Sequence, residues 1–388
     1  LRLFLSYSLF LGLFGSFSLR AEKMRINFYG EEIILCYKQL PIIEGNNLTD
    51  EVTGQFLTTI AKNEINCLVD GLAAYKKDLR LNDWLLYLLT KQSAETILGK
   101  NRANEVTLFC WYILAELGYK VQLNFTEKQF YLSVYSEDEV YNIPSKSHGE
   151  GYLVEISSFQ YPNFIKPLVT QRSSYYLNIN GQPFDFSMPY LPLLKHPEIR
   201  KKRFDFTFDS RHYTIHGEID MNMIYLMYMY PELTVADHCR ISLSPSAYRS
   251  VILVLREYSK TFSEEEALSF LLSFTQQAFT YKTDMEAYQI NNLTFTAEES
   301  LFYDYTDCED RSVLFSILAN EVLGKETILV DFEKHTGVGV KLDKQIGKPI
   351  LYNNAIYTYC EPTGPGAILK PGELPYELRE SVYMILDH

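Results

Sequence analysis

Apolar positions along the chain fall into two long stretches that follow the same order. Residues 24–37 are β-branched and aromatic with a turn at Gly30-Glu31, which predicts a strand pair. Leu57, Ile60, Ile65, Leu68 and Leu72, then residues 84–97, repeat at helical spacing and predict two or three helices; residues 106–117 predict another that stops at Gly118. Residues 121–125, 130–135 and 152–156 then alternate with a period of two, as strands do. The second stretch runs through a strand pair over 204–219, helices near 248–258 and 265–281, a helix over 308–323, and strands again. The fold class expected is α+β.

The parallel order suggests a tandem duplication. Gly118 and Gly324, each closing a helix, are 206 residues apart, and at that offset residues 101–134 and 307–340 share eight identities. The offset sets Arg102 against Cys308, Gln129 against His335 and Glu155 against Glu361, so the first copy would keep a fold without the reactive groups of the second. Pro, Gly and aromatic residues gather over 180–202, with Gly181-Gln182-Pro183 as turn chemistry. The expected organisation is a leader over 1–21, a degenerate repeat over 22–182, a linker over 183–203 and a catalytic repeat over 204–388.

The leader rests on Arg2 followed by a Leu- and Phe-rich run from residue 3 to residue 19, the pattern of a secretory signal peptide; the alternative is an uncleaved membrane anchor. Either places the folded part outside the cytoplasm, in the periplasm or beyond. A formal net charge of −13 with no Lys/Arg-rich run excludes the electrostatic footprint of a nucleic-acid binder. The six cysteines, Cys36, Cys67, Cys110, Cys239, Cys308 and Cys360, show no CxxC spacing, so no structural zinc and no cofactor is expected. Cys360 could cross-link to a neighbour in an oxidising compartment.

The strongest local chemistry is Tyr305-Thr306-Asp307-Cys308-Glu309-Asp310-Arg311-Ser312, followed by apolar residues at helical spacing. Asp307 is placed to cap the helix, with Asp310 as the acidic partner of a capping box, and Cys308 then faces the unpaired N–H groups of the first turn. Those groups favour a thiolate, whereas the surrounding carboxylates raise the thiol pKa. His335 begins a strand whose Gly337 and Gly339 would leave room for another chain or a substrate, and it is the candidate base. Glu361, at the end of Tyr357-Thr358-Tyr359-Cys360-Glu361-Pro362-Thr363, is the candidate acid that orients the imidazole. Gln276 or Gln277 could donate to an oxyanion. His212 and His216 share a strand face without a third metal ligand, and Asp237-His238-Cys239, whose neighbouring side chains should point apart, is read as structural.

Residues 274–284, Ala297-Glu298-Glu299, Asp307-Cys308-Glu309-Asp310, His335 and Cys360-Glu361-Pro362-Thr363 resemble the bacterial transglutaminase-like cysteine proteinases, a papain-type family with exported members. The resemblance covers roughly residues 265–370. It implies Cys308 as nucleophile, His335 as base and Glu361 as orienting acid, with the helix carrying Gln276 behind the site. This chain has Glu361 where the family usually has Asp, and Thr306 where Gly commonly precedes the Asp-Cys pair.

The function expected is therefore an exported cysteine-dependent amide hydrolase or acyltransferase acting on a peptide or protein of the cell envelope. Its rival is a non-catalytic envelope protein that uses the same fold to bind or scaffold.

Overall fold

The computed structural model describes residues 22–37, 48–60, 65–159, 170–178, 180–364 and 368–386; the expected leader lies outside them. β1 (Glu22–Phe28) and β2 (Glu31–Tyr37) form an antiparallel hairpin that buries Met24, Ile26, Phe28, Ile33 and Leu35 on one face. The turn is Tyr29-Gly30, one residue earlier than expected, with φ of 48° and 85°, the paired left-handed geometry that tight hairpins favour. Helices α1 (Asp50–Ile60), α2 (Asn66–Asp78), α3 (Asp83–Leu98) and α4 (Ala103–Glu116) follow. A disulfide between Cys36 and Cys67 ties β2 to α2, so the bridge is made here and not at Cys360, which is free and fully buried. A five-stranded sheet completes this half: β3 (Val121–Phe125), β4 (Phe130–Ser136), β5 (Ser145–His148), β6 (Gly151–Glu155) and β7 (Gln171–Arg172), in the order β5-β6-β4-β3-β7.

The second half begins with the long hairpin of β8 (Ile199–Phe208) and β9 (Arg211–Asp220). Then come α5 (Met221–Tyr228), α6 (Val235–His238) and α7 (Pro245–Ala247), which runs through a π-helical turn at Tyr248–Ile252 into α8 (Leu253–Ser259). Next are α9 (Glu264–Gln277), β10 (Thr280–Tyr281), α10 (Asp284–Tyr288), α11 (Ala297–Phe302), β11 (Tyr305–Thr306) and α12 (Cys308–Leu323). The helix expected to reach residue 281 stops at Gln277, because Tyr281 pairs with Thr306 as a short parallel strand. β12 (Thr327–Phe332), β13 (His335–Val340), β14 (Pro349–Tyr352), β15 (Ala355–Cys360) and β16 (Tyr383–Leu386) form the second five-stranded sheet, in the order β14-β15-β13-β12-β16.

The fold is thus mixed α and β, and its two large sheets share one strand order. The register of the first pair also corresponds: Val121 faces Val134 in β3–β4 and Thr327 faces Val340 in β12–β13, the same positions at the 206-residue offset. Further along the sheets the offset slips. Ser133 faces Glu155, but Gly339 faces Tyr359, so the position matching Glu361 is Ser157, two residues past Glu155.

One apolar core lies between the first sheet and α2, α3 and α4, around Trp84 and Trp111; a second lies between β8–β9, α9, α12 and the inner face of the second sheet. The segment 183–203, expected as a linker, contributes Phe184 and Phe186, both fully buried, to the first core, and β8 starts within it. The halves are pinned together by Trp84 Nε1 donating to Met229 O at 2.7 Å and Tyr230 Oη donating to Phe186 O at 2.6 Å.

Candidate active site

α12 is enclosed by protein, with eleven of its sixteen residues buried, among them Arg311 and Asp310. Its start follows from the Asp307/Asp310 reciprocity: the Asp307 N–H donates to Asp310 Oδ2 at 3.1 Å, and the Asp310 N–H donates to Asp307 Oδ1 at 3.5 Å. Asp310 Oδ1 accepts a further bond from the Phe295 N–H at 2.8 Å. Burial first, and then the Glu309 and Asp284 charges for Asp307 and the Asp307 charge for Asp310, push both above the usual carboxylate range.

Cys308 is the first residue of this helix and is 7% exposed. Its thiol donates to Glu309 Oε2 at 2.7 Å, and the Thr336 backbone N–H lies close enough to favour a thiolate. That help is outweighed. Burial, and then the Glu309 and Asp307 charges, push the thiol far above its ordinary range, so Cys308 rests protonated. Among the described residues its sulfur makes no hydrogen bond to His335.

His335 opens β13, one residue before Thr336, whose carbonyl accepts from Ser312 Oγ of α12 at 2.8 Å. Its Nε2 is 2.8 Å from Glu361 Oε2, leaving Nδ1 as the ring nitrogen not held by Glu361. Glu361 stands just past β15 and is fully buried. Tyr359 Oη donates to its Oε2 at 2.7 Å and the Thr363 N–H to its Oε1 at 3.0 Å. Burial raises the Glu361 pKa, but the His335 bond and charge, followed by Tyr359 and Thr363, win and hold it below the usual range. The structure therefore keeps an ionised carboxylate against the imidazole.

Three further residues fix the surroundings. Arg311, 1% exposed, donates from Nε to Thr306 Oγ1 at 3.0 Å, from Nη1 to Thr363 O at 2.8 Å and from Nη2 to Phe279 O at 2.8 Å. It thereby joins the strand before Cys308, the turn after α9 and the loop after Glu361. Gln276 does not act as the expected oxyanion donor: its Nε2 protons go to Glu361 O at 2.7 Å and Leu369 O at 3.1 Å. Gln277 bonds Thr207 in β8 and faces away from the site. Nor do Gly337 and Gly339 open space for a substrate. A side chain at Gly337 would meet the Tyr359 ring, and one at Gly339 would meet Ile328, so both glycines make room for neighbouring side chains.

Tyr359 and Arg311 are the residues that sequence reasoning missed here. Period two would have shown Tyr359 pointing to the same side of β15 as Glu361, whereas nothing local marks Arg311 as a buried tie. His212, expected to share a strand face with His216, lies 3.2 Å from Asp205 at the surface. Among the described residues the one cluster of metal-type donors lying within 4.8 Å of one another is Asp307, Cys308 and Glu309, all three already engaged in capping or thiol bonding.

Compared with known proteins, the chain matches no family model, no curated protein and no solved structure. The chemistry must be read from the geometry alone. It offers a cysteine at a helix N-terminus, an imidazole on the adjacent strand and a buried carboxylate that fixes the tautomer of that imidazole.

Proposed function

We propose that the chain is a cysteine-dependent amide hydrolase or acyltransferase of transglutaminase-like type, with Cys308, His335 and Glu361 as its triad. The observation that carries this reading is the 2.8 Å contact between His335 Nε2 and a buried, ionised Glu361, one residue from the strand amide that approaches the Cys308 sulfur. In the reaction His335 Nδ1 takes the thiol proton as Cys308 attacks an amide carbonyl, then returns it to the leaving amine. Water as acceptor gives hydrolysis and an amine gives transamidation. The shared strand order of the two sheets supports duplication of one fold, with the first copy degenerate. The Cys36–Cys67 bridge suits an exported protein, and no helix among the described residues is long and apolar enough to cross a membrane.

One observation favours the binding or scaffolding alternative. The thiol rests against Glu309, and two cavities formed by the described residues, of about 230 and 670 Å³, have neither Cys308 nor His335 in their walls. On the catalytic reading Glu309 is a restraint that must swing aside before the sulfur can meet the imidazole.

Alkylation of Cys308 from pH 5 to pH 9 separates the two, measured in the wild type, Glu309→Ala and Glu309→Ala/His335→Ala. A catalytic pair predicts that Glu309→Ala raises the rate at pH 6 by about tenfold or more and that adding His335→Ala removes the gain. A thiol that stays inert in Glu309→Ala, or that ignores His335, leaves the binding role as the working conclusion.

A further inference from the structure

Away from Cys308, a cavity of about 230 Å³ opens between the segment 227–238 and the segment 288–303. Its wall includes Tyr288, Phe295, Tyr303, Glu232, Glu299 and His238. Phe295 and Tyr303 stack with centroids 4.5 Å apart, and Tyr288 stands edge-on to them at 5.5 and 5.9 Å. No Lys or Arg lines the cavity, so two carboxyl groups are set among aromatic rings without a balancing cation. Each spends one oxygen on backbone: Glu232 Oε1 accepts the Thr294 N–H at 2.8 Å, and Glu299 Oε2 accepts the Thr296 N–H at 3.0 Å.

His238 is the second observation. It is 3% exposed, and neither ring nitrogen completes a hydrogen bond, although the Phe295 backbone lies near enough to favour its charged form; Glu232 Oε1 is 3.9 Å from Nε2. The sequence places Asp237, His238 and Cys239 side by side with their side chains pointing apart. The three lie on and just after the short helix α6, which aims His238 inward. A buried, unsatisfied imidazole facing a cavity is costly unless something fills it.

We propose that this cavity binds a small organic cation, an alkyl- or methylammonium group held by the aromatic rings and by Glu232 and Glu299. Aromatic faces attract such cations, and the carboxylates supply the missing counter-charge. A metal ion suits the cavity less well, because these three side chains do not bring their donor atoms within 4.8 Å of one another. Without a cation the acids hold protons instead. Burial is the main cause, raising Glu232 to about 8 and Glu299 to about 7; the Glu299 charge and then Asp284 add to the first and the Glu298 charge to the second, while burial lowers His238 to about 4 against the pull of the Phe295 backbone and Asp237. Binding should therefore release protons near neutrality.

The test titrates the full chain with butylammonium, tetramethylammonium and neutral 1-pentanol by calorimetry, at pH 6 and pH 9. The expected result is ammonium binding at about 1 mM or tighter, no pentanol binding, and affinity about tenfold higher at pH 9 than at pH 6. Glu232→Gln should weaken binding at pH 9 by about tenfold, and Tyr303→Leu serves the same purpose if that variant does not fold. Equal binding of pentanol, no ammonium binding at roughly 20 mM, an affinity that does not change with pH, or unchanged binding by Glu232→Gln would each overturn the proposal. The readout is binding, so it stands whether or not Cys308 proves to be a nucleophile.

Discussion

The two halves differ at one backbone amide. In the first half the N–H of Phe130, at the start of β4, donates to Asn104 Oδ1 of α4 at 2.9 Å. Its counterpart in the second half, the N–H of Thr336, is turned toward the Cys308 sulfur. At the 206-residue offset Asn104 corresponds to Asp310, which instead caps its own helix. The first half thus spends on packing the amide that the second half leaves facing a thiol. Arg311 makes the same contrast: its counterpart Glu105 forms a partly exposed pair with Arg102, whereas Arg311 is a buried tie between three segments. One strand arrangement can support either a closed or a chemically open helix start, depending on a few side chains.

The largest expected effect comes from trying to erase that contrast. If the triad is catalytic, His335→Ala should lower amide-bond turnover by on the order of 10³-fold or more, measured on a peptide substrate. Arg102→Cys with Gln129→His in the first half should gain nothing, because Asn104 already occupies the Phe130 amide; low-pH alkylation of the new cysteine would break the comparison. Next in size is stability. Arg311→Met strands one buried and one partly buried carbonyl and should cost about 3 kcal/mol in urea unfolding, whereas Glu105→Met should cost under about 1 kcal/mol.

A smaller effect is expected with pH. Glu232, Glu299 and Asp284 have folded pKa values of about 8, 7 and 6, above their unfolded values, chiefly through burial. For such groups the folded state binds more protons between the two values, so stability is full below the unfolded pKa and falls as pH rises toward 8. Glu361 works the opposite way, since its lowered pKa removes stability only as pH falls into the acid range. Unfolding free energy should decline from pH 5 to pH 8, and Glu232→Gln should flatten that slope. Tyr359→Phe removes one donor to Glu361 and should cost only about 1 kcal/mol, read from thermal melting.

How much of this could be read from sequence depended on whether the signal was local. The start of α12 was legible because capping acids and helical spacing lie within a few residues of Cys308. His335 and Glu361 were legible as strand ends because β13 and β15 are rich in β-branched and aromatic residues. β5 and β7 were not, since Ser145–His148 and Gln171–Arg172 are exposed edge strands with no buried face to pattern. The Cys36–Cys67 pairing was hidden because spacing does not choose among six cysteines. The fates of Gln276 and His238 were hidden for a related reason. Which carbonyl takes an amide proton, and which way a histidine turns, are settled by chain segments far away in sequence.

The position of His335 has a further consequence for how the molecule breathes. β13 is the central strand of its sheet, flanked by β15 and β12, and α12 packs directly on it. Amides in such places exchange with solvent only when the whole unit opens, whereas the exposed turn over 289–292, at the rim of the aromatic cavity, can open locally. Hydrogen exchange should therefore show the α12 and β13 amides around Cys308 and His335 among the slowest of the chain and those of that turn among faster ones. Mild heating would then loosen the cavity's rim well before it parts His335 from Glu361.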